Sequence, residues 1–85
     1  MIEFSFRISD GKCIHTRPAG ELSKLLSVFS SDVTIEHKNQ VADGKNLMSL
    51  MSLNLRGGDV IKIQINGTDE IKVQHQCEYF LLNNF

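Results

Sequence analysis

Hydrophobic residues alternate with polar ones in three stretches of the chain, at residues 2–8, 33–36 and 61–66. A period of two is typical of a β-strand that buries one face. A fourth, shorter strand is predicted at residues 40–42, because Lys38 and Asn39 favour a tight hairpin turn directly before it. Each predicted strand therefore has one apolar face and one polar face.

Three other segments carry apolar residues at helical spacing. The first begins at Thr16, where Pro18 suits the first turn because that turn's N–H groups have no intrahelical partner. The second is the apolar run at residues 47–53, which predicts a helix of two turns. The third follows Gly67, with Thr68 or Asp69 as its capping residue.

The predicted order of elements is β-α-β-β-α-β-α. Since every strand is apolar on one side only, the helices must cover one face of an antiparallel sheet and leave the other face in water. We therefore expect an α+β fold, an open-faced two-layer sandwich with four antiparallel strands and three helices. No linker or repeat divides the chain, which predicts a single domain over residues 1–85.

Composition restricts the function. The formal net charge is −1 and the basic residues are scattered, so neither nucleic acid nor an anionic membrane is an expected partner. No segment resembles a signal peptide or is long and apolar enough to cross a bilayer. Cys13 and Cys77 lack metal-ligand or redox spacing and are expected to be free thiols of a cytoplasmic protein.

His15 lies where the first helix is predicted to begin, followed by Thr16, Arg17 and Pro18. The unpaired N–H groups and the positive dipole end of a helix start form an anion site. A neutral imidazole supplies a nucleophilic lone pair, and the planar guanidinium of Arg17 suits phosphate oxygens. These residues suit phosphoryl transfer, although a histidine before a helix is more frequently a surface residue without a catalytic task.

Three motifs in register resemble one family. The stretch His15-Thr16-Arg17-Pro18-Ala19 resembles the H-A-R-P-A signature of the HPr phosphocarriers of the bacterial sugar phosphotransferase system. Residues 45–53, KNLMSLMSL, resemble the second motif of that family, and residues 66–70, NGTDE, resemble its G-x-D-E segment. The resemblance covers the whole chain, and the family's β-α-β-β-α-β-α fold agrees with the predicted order.

The resemblance implies a function for His15. It would be phosphorylated at Nδ1 by enzyme I, which phosphoenolpyruvate charges, and would pass the phosphoryl group to sugar-specific IIA domains. Arg17 would stabilise the phosphohistidine, and the backbone N–H of Thr16 would lie at the helix start. Neither a cofactor nor a metal is implied, and a monomer is expected. The residues implied to border the partner-binding surface are Gly20, Lys24, Leu47, Met48 and Met51, whereas Leu50 and Leu53 are expected in the core.

The chain also departs from the family pattern. Asn46 stands where many relatives have a serine that a kinase phosphorylates, so this regulatory serine is absent. Cys13 replaces a usual glycine, and Thr16 replaces a usual alanine or serine. These departures leave open an alternative, a regulatory paralogue that docks on enzymes or transcription regulators without serving sugar transport. His37 and His75 lie apart from these motifs and are expected at the surface.

Overall fold

The computed structural model describes residues 1–85 and confirms the predicted order of elements. Four strands form one sheet, and three helices cover one of its faces. None of the helices combines the length and the apolar character needed to cross a membrane. The elements are β1 (Ile2–Arg7), α1 (Thr16–Ser27), β2 (Asp32–His37), β3 (Gln40–Asp43), α2 (Leu47–Met51), β4 (Val60–Asn66) and α3 (Glu70–Asn84).

The sheet has the strand order β1-β4-β2-β3, and every neighbouring pair is antiparallel. β4 lies inside the sheet, and Ile61, Ile63 and Ile65 are fully buried beneath the helices. Their polar neighbours point to the opposite face, where Lys62 of β4 lies 3.9 Å from Glu3 and 3.7 Å from Glu36. The expected division into one apolar and one polar face is therefore confirmed.

The helices complete the core from the other side. Leu22 and Leu26 of α1 and Val73, Cys77 and Leu81 of α3 are fully buried against the sheet. Burying one such leucine contributes about 1.5–3 kcal/mol, so these helix faces supply much of the driving force for folding. Burial, with a smaller contribution from Glu78, raises the pKa of the Cys77 thiol to about 12. Cys77 is therefore a packing residue and not a reactive one.

The predicted hairpin turn is confirmed. Lys38 and Asn39 have φ values of 48° and 67°, as the two central residues of a tight hairpin require, and His37 pairs with Gln40 across them. The first two helices end before their runs of apolar residues do. α1 ends at Ser27, because Val28 and Phe29 donate to carbonyls three residues back, and α2 ends at Met51.

His37 contradicts the expectation that it lies at the surface. It is the last residue of β2 and continues the alternation of Val33 and Ile35, so its side chain points to the buried face and the residue is only 5% exposed. Its Nε2 atom lies 3.0 Å from Oδ2 of Asp59, yet neither ring nitrogen has a well-aligned hydrogen-bond partner. His75 is exposed on α3, as expected.

Asp69 directly precedes α3, but its side chain does not cap that helix. Instead the carboxylate accepts hydrogen bonds from Ser30 and Ser31, the two residues before β2. The Ser30 and Ser31 backbone N–H groups lie 3.0 Å from Oδ2 and Oδ1 respectively, and both serine hydroxyls also donate to Asp69. Of the two capping residues predicted, Thr68 and Asp69, the structure places Asp69 at the cap position, where its carbonyl accepts the Val73 N–H at 3.0 Å, but its carboxylate joins two distant segments of the chain and does not cap the helix.

Candidate active site

His15 is the residue that immediately precedes α1, and it is exposed. Its backbone is extended, with φ −88° and ψ 172°, and its carbonyl accepts the first hydrogen bond of the helix from the Ala19 N–H at 3.3 Å. The imidazole makes no capping hydrogen bond. Both ring nitrogens are therefore available for chemistry at the surface.

The helix start beside His15 has free donors. The N–H groups of Thr16 and Arg17 donate to no other group of the chain, and Pro18 has no N–H. No acidic residue lies in the first turn to occupy the positive end of the helix dipole. A phosphoryl group on the His15 ring would thus meet two unpaired N–H groups and a favourable dipole.

Arg17 is held in an ion pair within α1. Its Nε atom lies 3.4 Å from Oε1 of Glu21, one turn further along the helix, and its side chain is 91% exposed. An exposed pair at this spacing stabilises a helix by only about 0.3–0.5 kcal/mol. A phosphate bound at the helix start is therefore able to compete with Glu21 for the guanidinium.

The loop before His15 rests on the segment that follows α2. The Ile14 N–H donates to the Leu55 carbonyl at 3.4 Å, and the Gly57 N–H donates to the Lys12 carbonyl at 2.7 Å. A Cβ atom added to Gly57 would lie 2.6 Å from the Ser9 carbonyl oxygen, so only glycine permits this close approach. The sequence signalled only a turn here, and the adjacent Gly57-Gly58 pair was the one sign of a tight contact.

Cys13 is an exposed thiol two residues before His15. It lies at the edge of a small cavity of about 80 Å³, whose other walls include Ile14, Leu50 and Met51. Its backbone forms an isolated β-bridge with Arg56. Cys13 thus packs in the supported part of the loop, while its sulfur remains at the surface.

The residues implied to bind partners lie on α1 and α2. Met48 is 76% exposed and Lys24 is exposed, whereas Leu47 and Met51 are half-buried. Gly20 faces Leu47, since a Cβ atom added to it would lie 3.8 Å from Leu47 Cδ2. Leu50 and Leu53 are buried, as expected for core residues. The structure therefore brings Gly20 and Leu47 together at the junction of the two helices and leaves Met48 free of packing.

Asn46 caps α2. Its side-chain Oδ1 accepts a hydrogen bond from the Ser49 N–H at 3.0 Å, and the Ser49 hydroxyl in turn accepts from the Asp43 N–H at 2.9 Å. Asparagine performs this capping role as well as serine does. The position therefore keeps its structural function without a hydroxyl group.

Known proteins share this arrangement of elements. The family model described as the PTS HPr component phosphorylation site matches residues 2–81. The fold and this match together define the class of the protein, a phosphocarrier of the phosphotransferase system. A phosphohistidine site is implied by the family. The chain belongs to the HPr family.

Individual relatives agree with that assignment. The chain is 38% identical over 69 residues to phosphocarrier protein HPr of Mycoplasma capricolum, an alignment that covers 81% of this chain and 78% of the relative. A crystal structure of HPr from Thermoanaerobacter tengcongensis matches with a TM-score of 0.91 and 29% identity, over 100% of this chain and 96% of that one. A histidine-containing phosphocarrier protein, solved to trace the divergence of Mycoplasma from Gram-positive bacteria, matches with a TM-score of 0.91 and 30% identity, over 96% and 93%.

Proposed function

We propose that His15 accepts a phosphoryl group from enzyme I, charged by phosphoenolpyruvate, and passes it to sugar-specific IIA domains. One observation carries the proposal. His15 presents an exposed imidazole without a hydrogen bond, directly before a helix whose first two N–H groups are unpaired. Membership of the HPr family supports the same residue as the phosphate carrier.

The transfer step needs only the groups at this helix start. The Nδ1 lone pair of His15 attacks the donor's phosphorus. The new N–P bond forms as the bond from phosphorus to the donor group breaks, and its electron pair returns to the donor group. The Thr16 and Arg17 N–H groups donate to the phosphate oxygens, and the Arg17 guanidinium exchanges Glu21 for the phosphate. In the second transfer, a nucleophile of the IIA domain attacks the same phosphorus and the N–P bond breaks.

We further propose that donor and acceptor dock on the α1–α2 surface formed by Gly20, Lys24, Leu47, Met48 and Met51. Met48 is exposed and unbranched, and a flexible thioether side chain adapts to differently shaped partners. Gly20 has no side chain and keeps the space above Leu47 open. Lys24 adds a positive charge at the border of this surface.

Phosphorylation can be measured directly by intact mass after incubation with enzyme I, phosphoenolpyruvate and magnesium. We expect the protein to gain one phosphoryl group that is lost in acid, because an N–P bond is acid-labile. His15→Ala should gain none. His75→Ala is the matched control, since His75 is an exposed histidine on α3, and it should be phosphorylated like the parent. No gain with a cognate enzyme I would sink the carrier function.

The docking surface is tested by comparing two residues of α2. Met48→Ala should raise the KM for phosphoryl transfer from enzyme I while leaving the free energy of unfolding within about 0.5 kcal/mol, because Met48 packs against little. Leu50→Ala should instead destabilise the fold by about 2–5 kcal/mol, because Leu50 is buried. An unchanged KM for Met48→Ala contradicts the docking role.

The absence of a hydroxyl at position 46 has its own consequence. Incubation with ATP and a serine kinase that phosphorylates HPr proteins should leave the mass unchanged, since the Asn46 amide accepts no phosphate. Asn46→Ser retains a capping oxygen and should become a substrate. Phosphorylation of the parent at any serine would overturn this expectation.

A further inference from the structure

A polar cavity of about 350 Å³ lies between the β2–β3 turn and the segment that follows α2. Small-molecule sites typically have volumes of about 300–1,000 Å³. His37 and Lys38 form one side of the cavity, and Asn54, Arg56 and Asp59 form another. The phosphoacceptor site uses none of these side chains.

The charged groups of the cavity leave an excess of positive charge. Lys38 and Arg56 are its two cations, and neither side chain forms an ion pair in the chain. The single carboxylate, Asp59, is engaged within the wall. Its Oδ2 accepts the Arg56 backbone N–H at 3.0 Å and lies 3.0 Å from Nε2 of His37. The free groups therefore suit an anion.

The buried imidazole of His37 is a second, independent sign of a ligand site. Its side chain is 6% exposed and belongs to the wall of the cavity. Nε2 faces Oδ2 of Asp59 at 3.0 Å, whereas Nδ1 has no hydrogen-bond partner in the chain. Nearly all buried polar groups in native proteins are hydrogen-bonded, because an unpaired one carries its full desolvation cost. A ligand in the cavity would supply polar groups beside this ring.

Residues with a left-handed backbone conformation lie at the same place. Three non-glycine residues have positive φ, namely Lys38 at 48°, Asn39 at 67° and Asn54 at 50°. Lys38 and Asn54 are both in the wall of the cavity. The hairpin turn requires positive φ at Lys38, and this conformation fixes where its side chain enters the wall of the cavity.

We propose that this cavity binds a small organic phosphate, with Lys38 and Arg56 on the phosphate oxygens and the Asn54 amide as an additional donor. A phosphomonoester carries a charge of about −1.5 to −2 at neutral pH, which matches two unpaired cations, whereas a monocarboxylate would match only one. The guanidinium of Arg56 also suits two phosphate oxygens at once. This binding does not depend on phosphoryl transfer at His15.

The test is a titration of the ¹⁵N-labelled protein with glycerol 2-phosphate, followed by amide chemical shifts. We expect saturable shifts centred on Lys38, Asn54 and Arg56. The double variant Lys38→Gln/Arg56→Gln should bind at least about tenfold more weakly. Lys72→Gln, which removes an exposed lysine of α3, is the matched control and should bind like the parent. The amide spectra report whether each variant is folded.

Several results would overturn the proposal. Shifts confined to His15, Thr16 and Arg17 would place the phosphate at the start of α1 and leave the cavity without a ligand. Equal shifts with glycerol would remove the role of charge, and malonate binding as tightly as glycerol 2-phosphate would remove the preference for phosphate. An absence of any saturable shift would refute the site altogether.

Discussion

The residues that directly precede α1 and α3 differ in their hydrogen bonding. His15 precedes α1 and makes no side-chain hydrogen bond, and the first N–H groups of that helix are unpaired. Asp69 precedes α3, and its carboxylate accepts hydrogen bonds from both the backbone and the hydroxyls of Ser30 and Ser31. The N–H groups at the start of α1 are unpaired, whereas the carboxylate at the start of α3 is fully engaged in hydrogen bonds.

We therefore expect the start of α3 to contribute to stability and the start of α1 to contribute to function. The α3 junction connects segments nearly forty residues apart in the chain, so its hydrogen bonds stabilise tertiary structure. The α1 junction forms few contacts of its own and relies on the Leu55–Gly57 segment for support. Substitutions at the α3 junction should therefore change the free energy of unfolding, and substitutions at His15 should change phosphorylation alone.

Among substitutions at the helix starts, Gly67→Ala beside α3 is expected to change the free energy of unfolding most. A Cβ atom at Gly67 would lie 2.6 Å from Cα of Ser31, and this neighbour is backbone that cannot rotate away. We expect a loss of about 3 kcal/mol in the free energy of unfolding, measured by urea denaturation.

Gly20→Ala is the control for that substitution. Its new methyl group would meet Leu47 at an ordinary contact distance of 3.8 Å, and alanine favours a helix interior over glycine by up to about 1 kcal/mol. A glycine-to-alanine change should therefore stabilise the protein at position 20 in α1 and destabilise it at position 67 beside α3. A cost below about 1 kcal/mol for Gly67→Ala would show that the junction is not rigid.

The next largest effect is the dependence of the free energy of unfolding on pH in acid. The hydrogen bonds from the Ser31 side chain and the Ser30 backbone lower the pKa of Asp69 from 3.8 to about 2. Between these values the unfolded chain binds a proton at Asp69 and the folded protein does not. The stabilisation is therefore complete above about pH 4 and is lost as the pH falls towards 2.

Asp69→Asn isolates this contribution. The variant should be less stable than the parent at neutral pH, and the gap between the two should close as the pH falls from about 4 to 2. Urea denaturation at several pH values measures the gap. A gap that stays constant over this range would mean that the charge on Asp69 is not what stabilises the junction.

Local sequence signals predicted the open junction well but not the filled one. Pro18 and the spacing of the following leucines placed the start of α1 at Thr16, which also placed His15 at the helix start. The hairpin at Lys38 and Asn39 was likewise predicted from adjacent residues. These features depend on neighbours in the sequence, so the sequence contains the information needed to predict them.

The features that sequence patterns missed depend on residues far apart in the chain. Thr68 or Asp69 was expected to cap α3, and the hydrogen bonds of the Asp69 carboxylate to Ser30 and Ser31 were missed because nothing near Asp69 in the sequence indicates that they lie within reach. His37 was expected at the surface, because its burial depends on how far β2 extends and on Asp59, 22 positions away. The support of the active loop by Leu55 and Gly57 was missed for the same reason.

A third helix start gives an intermediate case. Asn46 caps α2 through a hydrogen bond from the Ser49 N–H to its Oδ1, so it stabilises structure but connects only local residues. Asn46→Ala should lower the free energy of unfolding by about 1 kcal/mol, and Asn46→Asp, which retains the capping oxygen, should restore most of it. A neutral Asn46→Ala would indicate that α2 is held by the packing of Leu50 and not by its cap.

The smallest effect on stability is expected at His15, where the effect on function is largest. The imidazole is exposed and makes no capping hydrogen bond, so His15→Ala removes no interaction that holds the fold. Its free energy of unfolding should stay within about 0.5 kcal/mol of the parent value. A loss above about 1 kcal/mol would mean that the histidine stabilises α1, as asparagine does for α2, and that this junction is not free. An unchanged free energy of unfolding together with lost phosphorylation would show that His15 contributes to function and not to stability. A phosphoryl group could then be added to this helix start and removed from it without breaking contacts that hold the fold.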